Sequence, residues 1–553
     1  MRNRLFVVLL FCTTTATAQL LHTSKTFSID DTLRGSITPE RAWWNLRFYH
    51  LKLSVNPDSR TISGSNLVRY TVLEPYQTLQ IDLQPPLEIS KIEQDGEVLS
   101  FTKKGKNAYF ISLKKLQVKG KTETLTIFYA GKPKTAKKAP WDGGFSWNKD
   151  ANGDHFVATS CQGLGASVWW PCKDHMYDEP DSMAISINVP PDYTDVSNGV
   201  LKSVDKLADG SQTFNWYVSN PINNYGVNVN IAKYVHFSET YAGEKGDLAM
   251  NYYVLPENLE KAKEHFKQAP QMMKAFEHWF GPYPFYEDGY KLVEVPYLGM
   301  EHQSSVTYGN KYQNGYLGID RSSTGWGSKW DFIIIHESGH EWFANNITDR
   351  DIADMWIHEG FTTYSETLFT EYYYGRRAGD EYTIGTRQHI RNDAPIIGIY
   401  NVNAEGSGDM YNKGANMLHS IRQLVESDEK WREIMRGINS KFYHQVVNSK
   451  QIEDYLSTEV GRDLSKVFDQ YLRDRRIPVL EYKIKKNKLT FRWQNCVGGF
   501  DMPIKIKANE DWLMIYPTTV FKTQKTRKIK QIELDANFLA KSIDIINNGV
   551  QRF

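Results

Sequence analysis

Residues 333–343 read IIIHESGHEWF: His336 and His340 stand four apart, Glu337 follows the first histidine, and the flanks are apolar. On a helix, positions four apart differ by only about 40° around the axis, so both imidazoles can reach one metal ion. Neutral imidazole nitrogens suit zinc, but two donors leave a site incomplete; a catalytic zinc site needs a third protein ligand and an open position. The segment DMWIHEGF supplies Glu359 after 18 intervening residues, on the next predicted helix. Two histidines and a glutamate form a catalytic zinc set, and zinc so held lowers the pKa of its water to about 7. Glu337 lies about 100° round the helix from His336, turned from the metal but within reach of that water. It is the candidate general base. The expectation is one Zn2+ per chain on His336, His340 and Glu359, serving a hydrolase.

Such a site needs a scaffold, and the chain is long enough for several. At 553 residues, 41% hydrophobic and 13% aromatic, it exceeds one ordinary core and lies far from disordered composition. The first residues are distinct: Arg2 and Arg4, the apolar run LFVVLLF, then TTTATA before Gln19. That order marks a secretory signal peptide over residues 1–18, cleaved near Ala18, and its apolar run is too short to span a bilayer. The expected product is exported, periplasmic or secreted, with no membrane span and as a monomer. Removal of residues 1–18 leaves 64 basic and 65 acidic residues, a balance that offers nucleic acid no electrostatic attraction. Cys161, Cys172 and Cys496 remain, an odd number, and the spacing of Cys161 and Cys172 permits a bridge without establishing one.

Hydrophobic periodicity divides the rest into three parts. Residues 19–240 hold short alternating segments such as YHLKLSV, NLVRYTV and LTIFYA between turns, an all-β saddle or sandwich. Asp150-Ala-Asn152-Gly-Asp154 begins like a calcium loop but has His155 and Cys161 where that loop needs glycine and glutamate, so a hairpin turn is expected. Over 241–475 the period lengthens. ENLEKAKEHFKQAPQMMKAFEHWFG predicts a helix kinked at Pro270 and ended by Gly281, followed by strands near KLVEV and SSVTYG. Helices are then expected from Ser328, as a capping residue paired with Asp331, to about Thr348, from Asp354 to Tyr374, and from Asp409 to about Glu426. Residues 476–553 return to strands and predict a small β domain.

Three further blocks accompany the zinc motif: Leu298-Gly299-Met300-Glu301-His302, Tyr411-Asn-Lys413-Gly414, and Cys161-Gln162 with Trp-Pro171-Cys172-Lys-Asp174. By themselves Glu301 reads as a strand-end acid and Tyr411 as a core residue of an amphipathic helix. Together with the zinc motif the blocks resemble the gluzincin aminopeptidases typified by aminopeptidase N, over nearly the whole mature chain. The resemblance implies a multidomain α+β fold: the β saddle or sandwich, a thermolysin-like α/β zinc domain over 241–475, and the small β domain. It implies that Glu301 and Gln162 bind the free α-ammonium group of a peptide, with Gly299 and Met300 beside the substrate. It implies that Tyr411 donates a hydrogen bond to the oxyanion while Glu337 acts as base. The expected activity is therefore release of N-terminal residues from peptides with free N-termini. The alternatives are a zinc endopeptidase, an epoxide hydrolase of the same family and an inactive binding scaffold.

His302 and His358 replace asparagines of the family pattern, which bears on substrate preference and on the hydrogen bonds around Glu301. Glu366, two turns past Glu359, is either a partner to a ligand or a solvated acid. Tyr297 is a candidate for one wall of the substrate pocket. Large members of that family carry a long helical C-terminal domain, which this sequence does not show, so a more open cleft is expected.

Overall fold

The computed structural model describes residues 26–526 and 529–546 and the backbone of 549–551; the signal peptide read over residues 1–18 lies outside the described residues. The fold is mixed α+β, with a β-rich N-terminal part, a helical and β part carrying the zinc motif, and a small β part at the C-terminal end.

In the N-terminal part, strand Trp44–Asn56 lies within an eight-stranded sheet, antiparallel to Thr61–Val72 and parallel to Ser182–Val189. Its side chains alternate as a half-buried strand requires, with Leu51, Leu53 and Val55 inward and Lys52, Ser54 and Asn56 outward. Four-stranded and three-stranded sheets complete this part around buried Trp44, Tyr49, Trp169 and Trp170. The strands Gly144–Lys149 and His155–Ser160 pair antiparallel, and the Asp150 carboxylate accepts the backbone N–H groups of Asn152 and Asp154 across the turn. That is the hairpin expected in place of a calcium loop. His155–Ser160 leads directly to Gln162.

The next part opens on a five-stranded sheet ordered Val235–Gly243, Gly246–Val254, Tyr290–Glu294, Val306–Tyr308 and Gly299–Met300, which leaves Gly299–Met300 at an edge. The helix expected around Pro270 is two helices, Leu259–His265 and Gln268–Phe280. Pro270 causes no kink because it falls in the first turn of the second, where backbone N–H groups have no helical partner to lose. Gly281 does end that helix, at φ 92°.

The zinc-motif helix is shorter than its apolar pattern suggests, running Phe332–Gly339. Asp331 caps it by accepting from the N–H groups of Ile333 and Ile334, whereas Ser328 turns away and donates to the Gly325 carbonyl. Past Gly339 the chain makes a wide turn over Glu341–Asn345, with Ala344 at φ 148°, and enters strand Ile347–Asp349. Helix Trp356–Tyr374 follows, ended by Gly375, and helix Asn412–Arg422 begins just after Tyr411. Three more helices, within 428–472, lead to the five- and three-stranded sheets of the C-terminal part. These share one apolar core with the helices, in which Tyr471, Trp493 and Phe500 pack together. No helix of the described residues is long and apolar enough to cross a membrane.

Candidate metal centre and peptide site

The metal-ligating atoms are aimed by groups behind them. His336 Nδ1 lies 2.7 Å from Glu366 Oε1, and the hydroxyl of Tyr382 donates to Glu366 Oε2 at 2.6 Å. His340 Nδ1 lies 3.1 Å from the Phe343 carbonyl, and Thr362 Oγ1 is at the same distance. A carboxylate and a carbonyl can only accept, so each histidine carries its proton on Nδ1 and offers the Nε2 lone pair. The wide turn has a purpose here: Ala344 reverses the backbone so that the Phe343 carbonyl points back at His340. Glu359 Oε2 lies 3.7 Å from His336 Nε2 and 3.4 Å from His340 Nε2. It is buried and has no hydrogen-bond partner. One oxygen and two nitrogens, all buried, all lone-pair donors, converge within 4.8 Å. That set fits a zinc ion.

The charge balance points the same way. Burial disfavours the imidazolium form of His336, but the carboxylates of Glu359 and Glu366 outweigh it and raise its pKa to about 10. Burial opposes ionisation of Glu359, yet His340 and His336 hold its carboxyl well below the usual range. Burial pushes Glu337 up to about 7, with Glu301 and Glu359 adding repulsion that the histidines partly offset. Glu301 is raised by burial too. Four buried carboxylates, Glu301, Glu337, Glu359 and Glu366, thus share a pocket whose histidines must be neutral to ligate. Such a site is short of positive charge and rewards both a divalent metal and an ammonium group.

Glu301 follows the edge strand Gly299–Met300. Its Oε1 accepts from Gln162 Nε2 at 2.7 Å, and the same amide donates to Glu359 Oε1 at 3.0 Å. Ligand-capable atoms of Glu301, Glu337 and His340 also lie within 4.8 Å of one another. Gly299 lets the edge strand press on the zinc-motif helix, since a Cβ there would sit 2.5 Å from Ile333 Cγ2. Tyr411 stacks beside His336 with ring centroids 6.1 Å apart. Burial and the carboxylates of Glu359 and Glu301 push its phenol well above the ordinary value, so it remains a proton donor. Its position comes from a helix crossing: a Cβ on Gly414 would lie 3.2 Å from the Gly360 Cα, so two glycines bring Tyr411 and Glu359 together. Lys413 faces away and donates to the Asp474 carbonyl.

The structure therefore brings Gln162, Gly299, Met300, Glu301, His336, Glu337, His340, Glu359 and Tyr411 to one cavity of about 690 Å³. Other expectations are revised. Tyr297 forms no wall of it; its hydroxyl donates to the Thr159 carbonyl in the core. His302 is buried with Nδ1 near Thr307 Oγ1, and His358 Nε2 accepts from the Asp349 N–H; burial lowers both to a pKa of about 3. Both are neutral packing groups outside the cavity wall. Cys161 and Cys172 are free buried thiols. Glu366 is the partner of His336, as its two-turn spacing from Glu359 allowed. Phe343, Thr362 and Tyr382 had no signal in the sequence, because a carbonyl direction and hydroxyls on the following helices, Trp356–Tyr374 and Arg376–Gly385, are tertiary facts.

Residues 46–225 match the model of the peptidase M1 N-terminal domain, and residues 264–471 match that of the peptidase family M1 domain. Aminopeptidase 2, mitochondrial, of Saccharomyces cerevisiae is 24% identical over 392 residues, covering 68% of this chain and 39% of that protein. Leukotriene A-4 hydrolase of Xenopus laevis is 23% identical over 452 residues, 76% of this chain and 68% of that one. The crystal structure of the M1 zinc metallopeptidase from Deinococcus radiodurans superposes with a TM-score of 0.65 at 19% identity, over 78% of this chain and 95% of that one, a likeness of fold. The chain spans about a third to a half of the length of the first curated relatives it matches.

Proposed function

The chain belongs to peptidase family M1, and from that premise we propose that it is a zinc aminopeptidase releasing the N-terminal residue of peptides. His336, His340 and Glu359 would hold the metal, which when bound polarises a carbonyl and acidifies a water. The chain's own groups supply the rest. Glu337 takes a proton from the attacking water and returns it to the departing amine, a transfer suited to a carboxyl whose pKa lies near neutrality. Tyr411 donates its phenolic hydrogen bond to the carbonyl oxygen as charge develops there, an interaction typically worth about 100- to 1,000-fold in turnover. Glu301 receives the α-ammonium group, and Gln162 holds the carboxylate in place.

One observation carries this reading over a general endopeptidase: Glu301 places a buried carboxylate beside Glu337 and His340, where a free amine is stabilised and a blocked one leaves the carboxylate unpaired. A panel of aminoacyl arylamides, tested before chelation, after chelation and after zinc is restored, checks it. Hydrolysis lost on chelation and recovered with zinc is expected; hydrolysis indifferent to chelation would overturn the metal assignment.

We further propose export, periplasmic or secreted, on the strength of the residue order in 1–18, and action as a monomer, since one chain supplies every residue named. An N-terminus at Gln19 in protein recovered from outside the cytoplasm is expected; an intact Met1 there would contradict cleavage.

A further inference from the structure

Among the described residues Arg321 forms no direct ion pair. It is half-buried and lines the active-site cavity. Its guanidinium carbon lies 5.2 Å from the ring centroid of Tyr316 and 5.4 Å from that of Phe332. Among the described residues no carboxylate or hydrogen-bond acceptor pairs with it. Its neighbour Asp320 is occupied by the N–H groups of Ser322 and Gly325. Two other arginines shielded from solvent form ion pairs: Arg41 with Asp82, and Arg422 with Glu371 and Asp428. The backbone of Arg321 is pinned, its carbonyl accepting from Gln388 Nε2 at 2.9 Å and lying 2.8 Å from His389 Nε2. A guanidinium laid over two rings is pre-organised and partly desolvated, which strengthens its pull on an anion.

Its direction from the metal centre can be read along the zinc-motif helix. Phe332 is the first residue of that helix and stacks on His336 with centroids 5.0 Å apart at 14°. Glu301 sits at the other end, against His340. Phe332 and His340 are about 12 Å apart along the axis at 1.5 Å per residue. On the aminopeptidase reading, a peptide whose amine is held at Glu301 and whose first carbonyl lies at the metal would have its remaining residues on the Arg321 side of the cavity. Extended chain covers roughly 3.3–3.6 Å per residue, so three or four residues span the interval.

We propose that Arg321 recognises a carboxylate on the leaving-group side of the substrate, making short acidic-ended peptides the preferred class. This rests on the aminopeptidase reading above. The carboxylate is either the C-terminal group of a tri- or tetrapeptide or an acidic side chain at that distance, and the test separates them. Rates are compared for Ala-Ala-Ala as the free acid, the same peptide as its C-terminal amide, and Ala-Ala-Glu amide, with alanyl arylamide as a substrate lacking any carboxylate. The wild-type protein should favour the free acid over the plain amide by roughly 10- to 100-fold in kcat/KM, expressed in KM, the range of one charge-assisted contact. Arg321→Gln, shown to be folded by its thermal melt, should bring that ratio close to one, and Arg321→Lys should recover part of it. If the Glu amide matches the free acid in an Arg321-dependent way, side-chain carboxylates are read as well; if it matches the plain amide, the C-terminal group alone is read. A ratio unchanged in Arg321→Gln, or near one in the wild type, overturns the proposal while arylamide hydrolysis persists. Loss of N-terminal release from every substrate overturns the aminopeptidase reading with it.

Discussion

Glu337 must be ionised to accept a proton, and its surroundings resist ionisation. Burial together with Glu301 and Glu359 raises it from 4.5 to about 7, and a bound metal, being positive, draws it part of the way back. The base form is lost as pH falls through that value, so the acidic limb of kcat/KM is expected above the ordinary carboxylate range and below about 7, and is expected to vanish with the activity in Glu337→Gln. A limb centred near 4.5 would contradict the burial argument. Glu366 acts through His336 rather than on substrate. Glu366→Ala should weaken zinc affinity about 10- to 100-fold, as loss of a ligand's outer partner does, measured by chelator competition. Unaltered affinity would mean that packing alone orients His336. At this scale the sequence was partly legible: His336 and His340 follow from helix geometry and Glu359 from the segment on the next helix, while the spacing of Glu366 left a ligand's partner and a solvated acid equally open. Glu301, Gln162 and Tyr411 became legible only through resemblance, since acids, amides and tyrosines occur in most folds without chemistry.

The elements were less legible. The apolar pattern around the zinc motif predicted a helix from Ser328 to about Thr348, but the helix is Phe332–Gly339. Periodicity reports which residues are buried, and here the wide turn and the strand after it are as buried as the helix. Capping chemistry was readable in kind but not in address: Ser328 and Asp331 are both good caps, and only packing decides that Asp331 does the work. Asp331 accepts from Ile333, Ile334 and the Tyr308 hydroxyl and meets His265 Nε2 at 2.7 Å. Asp331→Ala should therefore cost more than an ordinary cap, about 2 kcal/mol or above, read as a lower urea midpoint. A loss under about 0.5 kcal/mol would show that the helix start is held by its apolar contacts instead. The Gly360–Gly414 crossing was invisible in the sequence, where a glycine within a helix signals only reduced propensity.

At the scale of the whole molecule, the proposed amine site lies where two parts of the chain meet. Gln162 reaches Glu301 from the N-terminal part, and Asn223 of the same part binds Asn345, whose amide donates to the Glu301 carbonyl. Asn198 and Asn228 add buried bonds to Gln303 and Ser305. The candidate metal centre belongs to the helices, whereas on the proposed reading selectivity for a free amine would depend on how two parts of the chain dock. Gln162→Ala should therefore raise KM for peptides with a free amine, and the zinc content should stay at one per chain. The most direct test of the whole account compares a free tripeptide with its N-acetylated form under saturating zinc, following the products in time. The account predicts stepwise release of N-terminal residues from the free peptide and, for the acetylated one, a kcat/KM lower by about 100-fold or more, the penalty for leaving a buried carboxylate unpaired. Equal cleavage of the two, or internal cleavage of the acetylated peptide, would contradict it.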